Sequence, residues 1–185
     1  MKKLFVFIMS IFLLVGCKGI NVNVDETQAP LTPAVSKENN IMDKMEEYSK
    51  AVIKDFTKDY EQPLNSINYS YDVENDEHNF ELENHFENGM WSRYINDKLD
   101  ETKPKSIDTE NEPIPEEILK NMDKIYKRAL EDFNKKYENQ KNIHFRYWSL
   151  YEDNGKYMFN GIIESDKNHP WDIYYNVERD IGIKY

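Results

Sequence analysis

The 185-residue sequence contains one cysteine, Cys17, so no intrachain disulfide can brace the fold. Glycine is also scarce, at six residues, and neither a Gly-x-Ser-x-Gly elbow nor a glycine-rich phosphate loop occurs. Basic residues are in deficit: 24 Lys and Arg against 35 Asp and Glu give a formal charge of -11. A surface of that sign is repelled by phosphate and by anionic headgroups, which argues against a nucleic-acid partner and weakly favours cationic ones such as basic peptides. The histidines, His78, His85, His144 and His169, lack His or Cys neighbours at ligand spacing, so no metal or other cofactor is expected. They read as ordinary surface histidines. Glu81 and Glu83 read as a solvated strand face, because so many acids guarantee such pairs. Long apolar runs are missing too. The stretch from Leu4 to Val15, broken by Ser10, covers roughly 18 Å as a helix, short of a hydrocarbon core about 30 Å thick.

What that stretch does match is a secretory signal peptide over residues 1–16, with Lys2 and Lys3 before the apolar segment. Leu14-Val15-Gly16-Cys17 resembles the lipobox of bacterial lipoproteins. The resemblance implies a diacylglyceryl group on the Cys17 thiol, cleavage that leaves Cys17 as the new N-terminus, and anchorage on the extracytoplasmic face of the cell membrane. Two acyl chains suit that role, since one alone binds only marginally and reversibly. Loss of Lys2 and Lys3 on cleavage moves the formal charge from -11 to -13. Residues 17–38 lack aromatics and carry Pro30 and Pro33, which reads as a flexible tether with a reach of roughly 25 Å.

The remainder matches itself. Asp55 to Glu61 aligns with Asp132 to Glu138, Ile67 to Tyr71 with Ile143 to Tyr147, and Trp91 to Asn96 with Trp171 to Asn176. Residues 39–96 and 114–185 are therefore expected to be tandem copies, joined by a polar linker over 97–113 that carries Pro104 and Pro113.

Each copy opens on a helical period. Met45, Tyr48, Val52, Phe56 and Tyr60 share one face before Pro63; in the second copy Pro115, Glu116 and Glu117 suit a helix start, followed by Ile118, Met122, Ile125, Ala129 and Phe133, with Tyr126, Leu130 and Tyr137 widening the stripe. The period then falls to two. Ile67, Tyr69, Tyr71 and Val73 define a first strand, Phe80, Leu82 and Phe86 a second, and Met90 to Ile95 a third after an Asn88-Gly89 turn. The second copy repeats this with Ile143 to Tyr151, an Asp153-Asn154-Gly155 turn, Lys156 to Ser165, Trp171 to Val177 and a short closing strand from Ile181 to Tyr185. The fold class is α+β: two tandem copies of a helix followed by a three-stranded antiparallel meander, the sheet packed on the helices.

A helix, a three-stranded meander and an aromatic strand leading to Gly182-Ile183 resemble the PepSY and cystatin-like modules of small extracytoplasmic lipoproteins of Gram-positive bacteria. PepSY modules usually carry an aspartate before the final turn, where this chain has Asn176. The resemblance implies a non-enzymatic module that binds or restrains another extracellular protein.

The copies differ on the sheet face turned away from the helices. In the first copy that face should carry Asn68, Ser70, Asp72, Glu81 and Glu83; in the second, Trp148, Leu150, Met158, Ile162 and Tyr174. The apolar set is a candidate partner-binding patch, because aromatic anchors on an uncovered face mark contact surfaces. Packing of the first copy or the linker onto that face is the alternative. Two functions follow: a lipid-anchored binding, inhibitory or immunity-type module for an extracellular protein or cationic peptide, or a cell-envelope hydrolase using a carboxylate pair not identifiable by motif.

Overall fold

A computed structural model describes residues 41–59, 63–85, 89–104, 112–167 and 169–185. The expected signal peptide, Cys17 and the tether lie outside these residues, as do Tyr60, Phe86 and Asn88.

The first helix, α1 (Ile41–Asp59), buries Met42, Met45, Ser49, Val52 and Phe56 along one stripe. Asp43 in its first turn and Lys58 in its last complement the helix dipole. Four strands follow: β1 (Ser66–Asp72), β2 (Glu77–Asn84), β3 (Met90–Ile95) and β4 (Lys98–Pro104). The second helical stretch, expected to be continuous, divides at Asn121 into α2 (Glu116–Lys120) and α3 (Met122–Lys136). Asn121 Nδ2 donates to the Glu117 carbonyl at 2.7 Å, a side-chain bond that competes with the helix ladder. Ile118, Met122, Ile125, Tyr126, Ala129 and Phe133 are buried, as their spacing predicts. Then come β5 (His144–Asp153), β6 (Lys156–Glu164) and β7 (Trp171–Asn176).

The seven strands form one sheet in the order β4-β3-β2-β1-β5-β6-β7, antiparallel at every step. The expected halves thus meet edge to edge along β1 and β5. One cross-strand row on the inner face, Tyr94, Phe80, Tyr69, Trp148, Gly161 and Ile173, shows the core. Trp148 sits at its centre, stacked on Tyr69 and Phe159 with ring centroids 5.6 and 5.4 Å away and tilted against Tyr126 at 5.5 Å. Its indole N–H reaches Met45 Sδ at 3.3 Å, and Ser49 bonds Tyr126 at 2.9 Å, so both long helices lock onto the same residues. Gly161 lies against the β5 main chain, where a Cβ would press on the Tyr147 carbonyl oxygen and come 2.9 Å from both Cα and Cβ of Trp148.

Three segments depart from the sequence reading. Residues 98–104, expected in the linker, form β4. Asn96 and Asp97, at φ 49° and 65°, make a two-residue hairpin turn, and Lys98, Lys103 and Pro104 belong to an edge strand that discourages further pairing. Val73, expected on the apolar face of β1, is exposed in the β1–β2 turn, where Asp72 Oδ1 accepts from the Glu74 and Asn75 amides. The closing strand is absent: Val177–Ile181 forms a π-helical turn in which Asn176 Oδ1 accepts from the Arg179 amide, and Gly182 ends it at φ 79°. The Asn154-Gly155 hairpin is as expected, at φ 54° and 75°.

Candidate functional site

Helices α1 and α3 pack on one face of the sheet. The opposite face carries no helix among the described residues, and strand register orders its side chains into three rows. The middle row runs Glu101, Arg93, Glu81, Asn68, Ser149, Asn160 and Tyr174. It is polar except at its end, and Ser149 Oγ donates to Asn68 Oδ1 at 2.7 Å across the junction of the halves. On one side lie Ile95, Asn79, Ser70, Tyr147, Ile162 and Asp172; on the other, Trp91, Glu83, Ser66, Tyr151, Met158 and Asn176. Apolar side chains therefore collect over β5 to β7.

The first-copy residues, Asn68, Ser70, Asp72, Glu81 and Glu83, stand on this open face as their alternation predicts. The second-copy patch is split. Trp148 and Leu150 are 0% exposed and belong to the core under the helices, not to the open face. A bulge between Phe145 and Tyr147 is the cause. The extra residue, Arg146, shifts the parity of the strand, so Phe145, Trp148 and Leu150 point inward while Arg146 and Tyr147 are both exposed. Met158, Ile162 and Tyr174 do lie on the open face: Met158 buried, Ile162 half-buried and Tyr174 58% exposed. Tyr147, 42% exposed, and Tyr151 complete the set that sequence parity assigned inward.

At the end of this face nearest the β1–β2 turn lies an open depression of about 810 Å³. Asp72, Glu74, Glu81 and Glu164 line it together with Arg93 and Arg146. Arg93 is engaged by Asn79 Oδ1 at 3.5 Å and Asp100 at 3.6 Å, while Glu164 approaches His144 Nε2 at 3.3 Å. A second hollow, of about 560 Å³, lies between α1 and the α2–α3 stretch over Ile53, Leu119, Met122 and Tyr126.

The histidines are not all on the surface. His78 is fully buried and His144 nearly so. Tyr69 Oη lies 3.0 Å from His78 Nδ1, Tyr48 and Tyr71 pack on the ring, and His78 Nε2 has no hydrogen-bond partner among the described residues. Burial of this ring lowers the His78 pKa to about 4, the field of Asp76 opposing only in part. Burial likewise raises the Tyr71 hydroxyl to about 12, helped by its hydrogen bond to Asp76. His85 lies 3.5 Å from Glu83, and His169 stacks on Tyr137. Among the described residues no three His, Cys, Asp or Glu side chains gather as metal ligands. No described helix is long and apolar enough to cross a membrane.

No family model matches the chain, and no curated protein does. A crystal structure of a candidate lipoprotein from Clostridium difficile 630 aligns over 69% of this chain and 84% of its own, at 18% identity and a TM-score of 0.44. At that distance the likeness carries no argument about function.

Proposed function

We propose that this protein is exported, anchored through lipid on Cys17 to the extracytoplasmic face of a Gram-positive cell membrane, and binds another extracellular protein or peptide there without chemistry of its own. Binding or restraint of that partner, as in an immunity-type or inhibitory lipoprotein, is the activity. The observation that carries the binding role is the sheet face over β5 to β7, which no helix among the described residues covers and where Tyr147 and Tyr174 stand exposed beside Tyr151, Met158 and Ile162. Aromatic side chains on an uncovered face are the residues that serve as binding anchors. The non-enzymatic reading is supported by the setting of the carboxylates on that face, in an open depression rather than a closed, water-excluding cleft.

We further read the two halves as tandem copies of PepSY-like or cystatin-like character. The described parts of the three self-matching segments fall on corresponding elements, the ends of α1 and α3, strands β1 and β5, and strands β3 and β7, although Trp91 lies on the open face where Trp171 lies on the core face.

Two measurements test the proposal. Palmitate labelling of cells should mark the wild-type chain and not Cys17→Ala, whose product should leave the membrane fraction; equal labelling would refute the anchor. A photo-crosslinking residue at position 174 on intact cells should trap a discrete adduct that the same residue at the exposed position 131 on α3 does not. Identical adducts from both sites would refute the open face as the binding surface.

A further inference from the structure

We propose that the depression on the open face receives the basic side chains of an amphipathic peptide whose apolar residues lie along Tyr147, Ile162 and Tyr174. This rests on the open face being the binding surface and adds what that surface selects. The depression and the ridge are one surface by register: Ser70, in the depression wall, pairs with Tyr147, and Tyr147 pairs with Ile162. Adjacent strands are about 4.8 Å apart, so the ridge begins one strand from the wall and extends roughly 10 Å beyond it. From Glu81 on β2 to Tyr174 on β7 is four strand steps, roughly 19 Å, which an extended peptide of about six residues at ~3.3 Å each covers.

Charge selects the occupant. Four carboxylates line the depression against two guanidiniums; Asp72 is engaged by the turn amides, Glu164 by His144, and Arg93 by Asn79 and Asp100, which leaves Glu74 and Glu81 facing Arg146. The formal charge of -11 becomes -13 once residues 1–16 with Lys2 and Lys3 are lost, so the long-range field of the lipidated chain draws cations and repels anions. A neutral glycan could stack on the tyrosines but would leave that excess of carboxylate unmatched, and a second copy of this acidic chain would bring like charge against it. A segment that alternates basic and apolar side chains satisfies both the depression and the ridge.

The probe is a synthetic peptide of alternating leucine and lysine, with glutamate and serine counterparts. Each is titrated by fluorescence anisotropy against the full lipidated chain in phosphatidylcholine nanodiscs, which carry no net charge. The lysine peptide should bind and weaken with added salt, and neither counterpart should bind or displace it. Glu74→Gln with Glu81→Gln should weaken it roughly tenfold, and Tyr147→Ser with Tyr174→Ser about as much, whereas Glu131→Gln on α3 with Glu138→Gln in the turn after it should change it less than twofold. Equal loss from the remote pair would show only non-specific attraction and overturn the proposal. Failure of the lysine peptide to bind, tighter binding of an envelope oligosaccharide, or self-association across this face would overturn it as well. The position-174 crosslink separates this from the broader reading: an adduct on cells that survives Glu74→Gln with Glu81→Gln leaves the binding surface standing and removes the basic ligand.

Discussion

Strand alternation in β1 and β2 runs without interruption, so Asn68, Ser70, Glu81 and Glu83 turn to solvent while Ile67, Tyr69, Phe80 and Leu82 turn to the helices. In β5 the same alternation breaks at Arg146, and every side chain beyond it has the opposite parity from the one its sequence spacing gives. The two halves thus build one inner face from different patterns, and the second half obtains its exposed Tyr147 from the interruption. A single inserted residue decides which aromatics are core and which are surface.

The sharpest break of that comparison pairs two tryptophans, Trp148 inside and Trp91 on the open face. Trp148→Ala removes the ring on which Tyr69, Tyr126 and Phe159 pack and should lower unfolding free energy by about 3–5 kcal/mol in urea titration. Trp91→Ala, at a half-buried outer position, should cost under about 1 kcal/mol. Similar losses from both would mean that the parity of β5 is wrong.

A second contrast lies in the cores. The second half packs Phe145, Phe159 and Ile163, whereas the first contains the Tyr69–His78 pair. His78 is buried neutral, with a folded pKa of about 4 against an ordinary 6.5. Its depressed pKa means that the stability is full above pH 6.5 and is lost as pH falls toward 4, by roughly 3 kcal/mol at most. Asp76, Lys44 and His144 act on His78, and Glu46 on α1, held above its ordinary value chiefly by burial, titrates with the opposite sign. Urea midpoints measured between pH 7 and pH 4.5 should fall in the wild type and flatten in His78→Gln. A slope unchanged by that substitution would assign it elsewhere.

Between these and the surface effects stands Gly161, which gives Trp148 its space. Gly161→Ala should cost about 1–3 kcal/mol through overpacking, against a small effect for alanine at the exposed Lys156 of the same strand. A neutral Gly161→Ala would show that the β5 and β6 backbones can part without loss.

Both helices, the hairpin at Asn154-Gly155 and six of the seven strands were legible because their periods are strong and their turn residues specific. The edge strand β4 was not. Its Lys-Leu-Asp-Glu-Thr-Lys-Pro sequence has the charge and proline that protect an edge, and those same residues read as linker. The open face was legible in part: Glu81, Met158, Ile162 and Tyr174 follow simple alternation, while Trp148, Leu150, Tyr147 and Tyr151 lie past the bulge. Nothing local to Arg146 announces a bulge, which depends on how β5 registers against β1 and β6, partners distant in the chain.

The smallest effect is the most discriminating for the role of the second half. Tyr147→Ser with Tyr174→Ser removes two exposed rings, so unfolding free energy should stay within about 0.5 kcal/mol per site of wild type. Tyrosines retained for the fold would instead lower it by an amount comparable to Gly161→Ala. Unchanged stability, combined with loss of the cellular crosslink at an unmutated neighbour such as position 162, would separate the two uses of aromatics in this sheet: Trp148 holds the halves together, and Tyr147 and Tyr174 face outward for a partner.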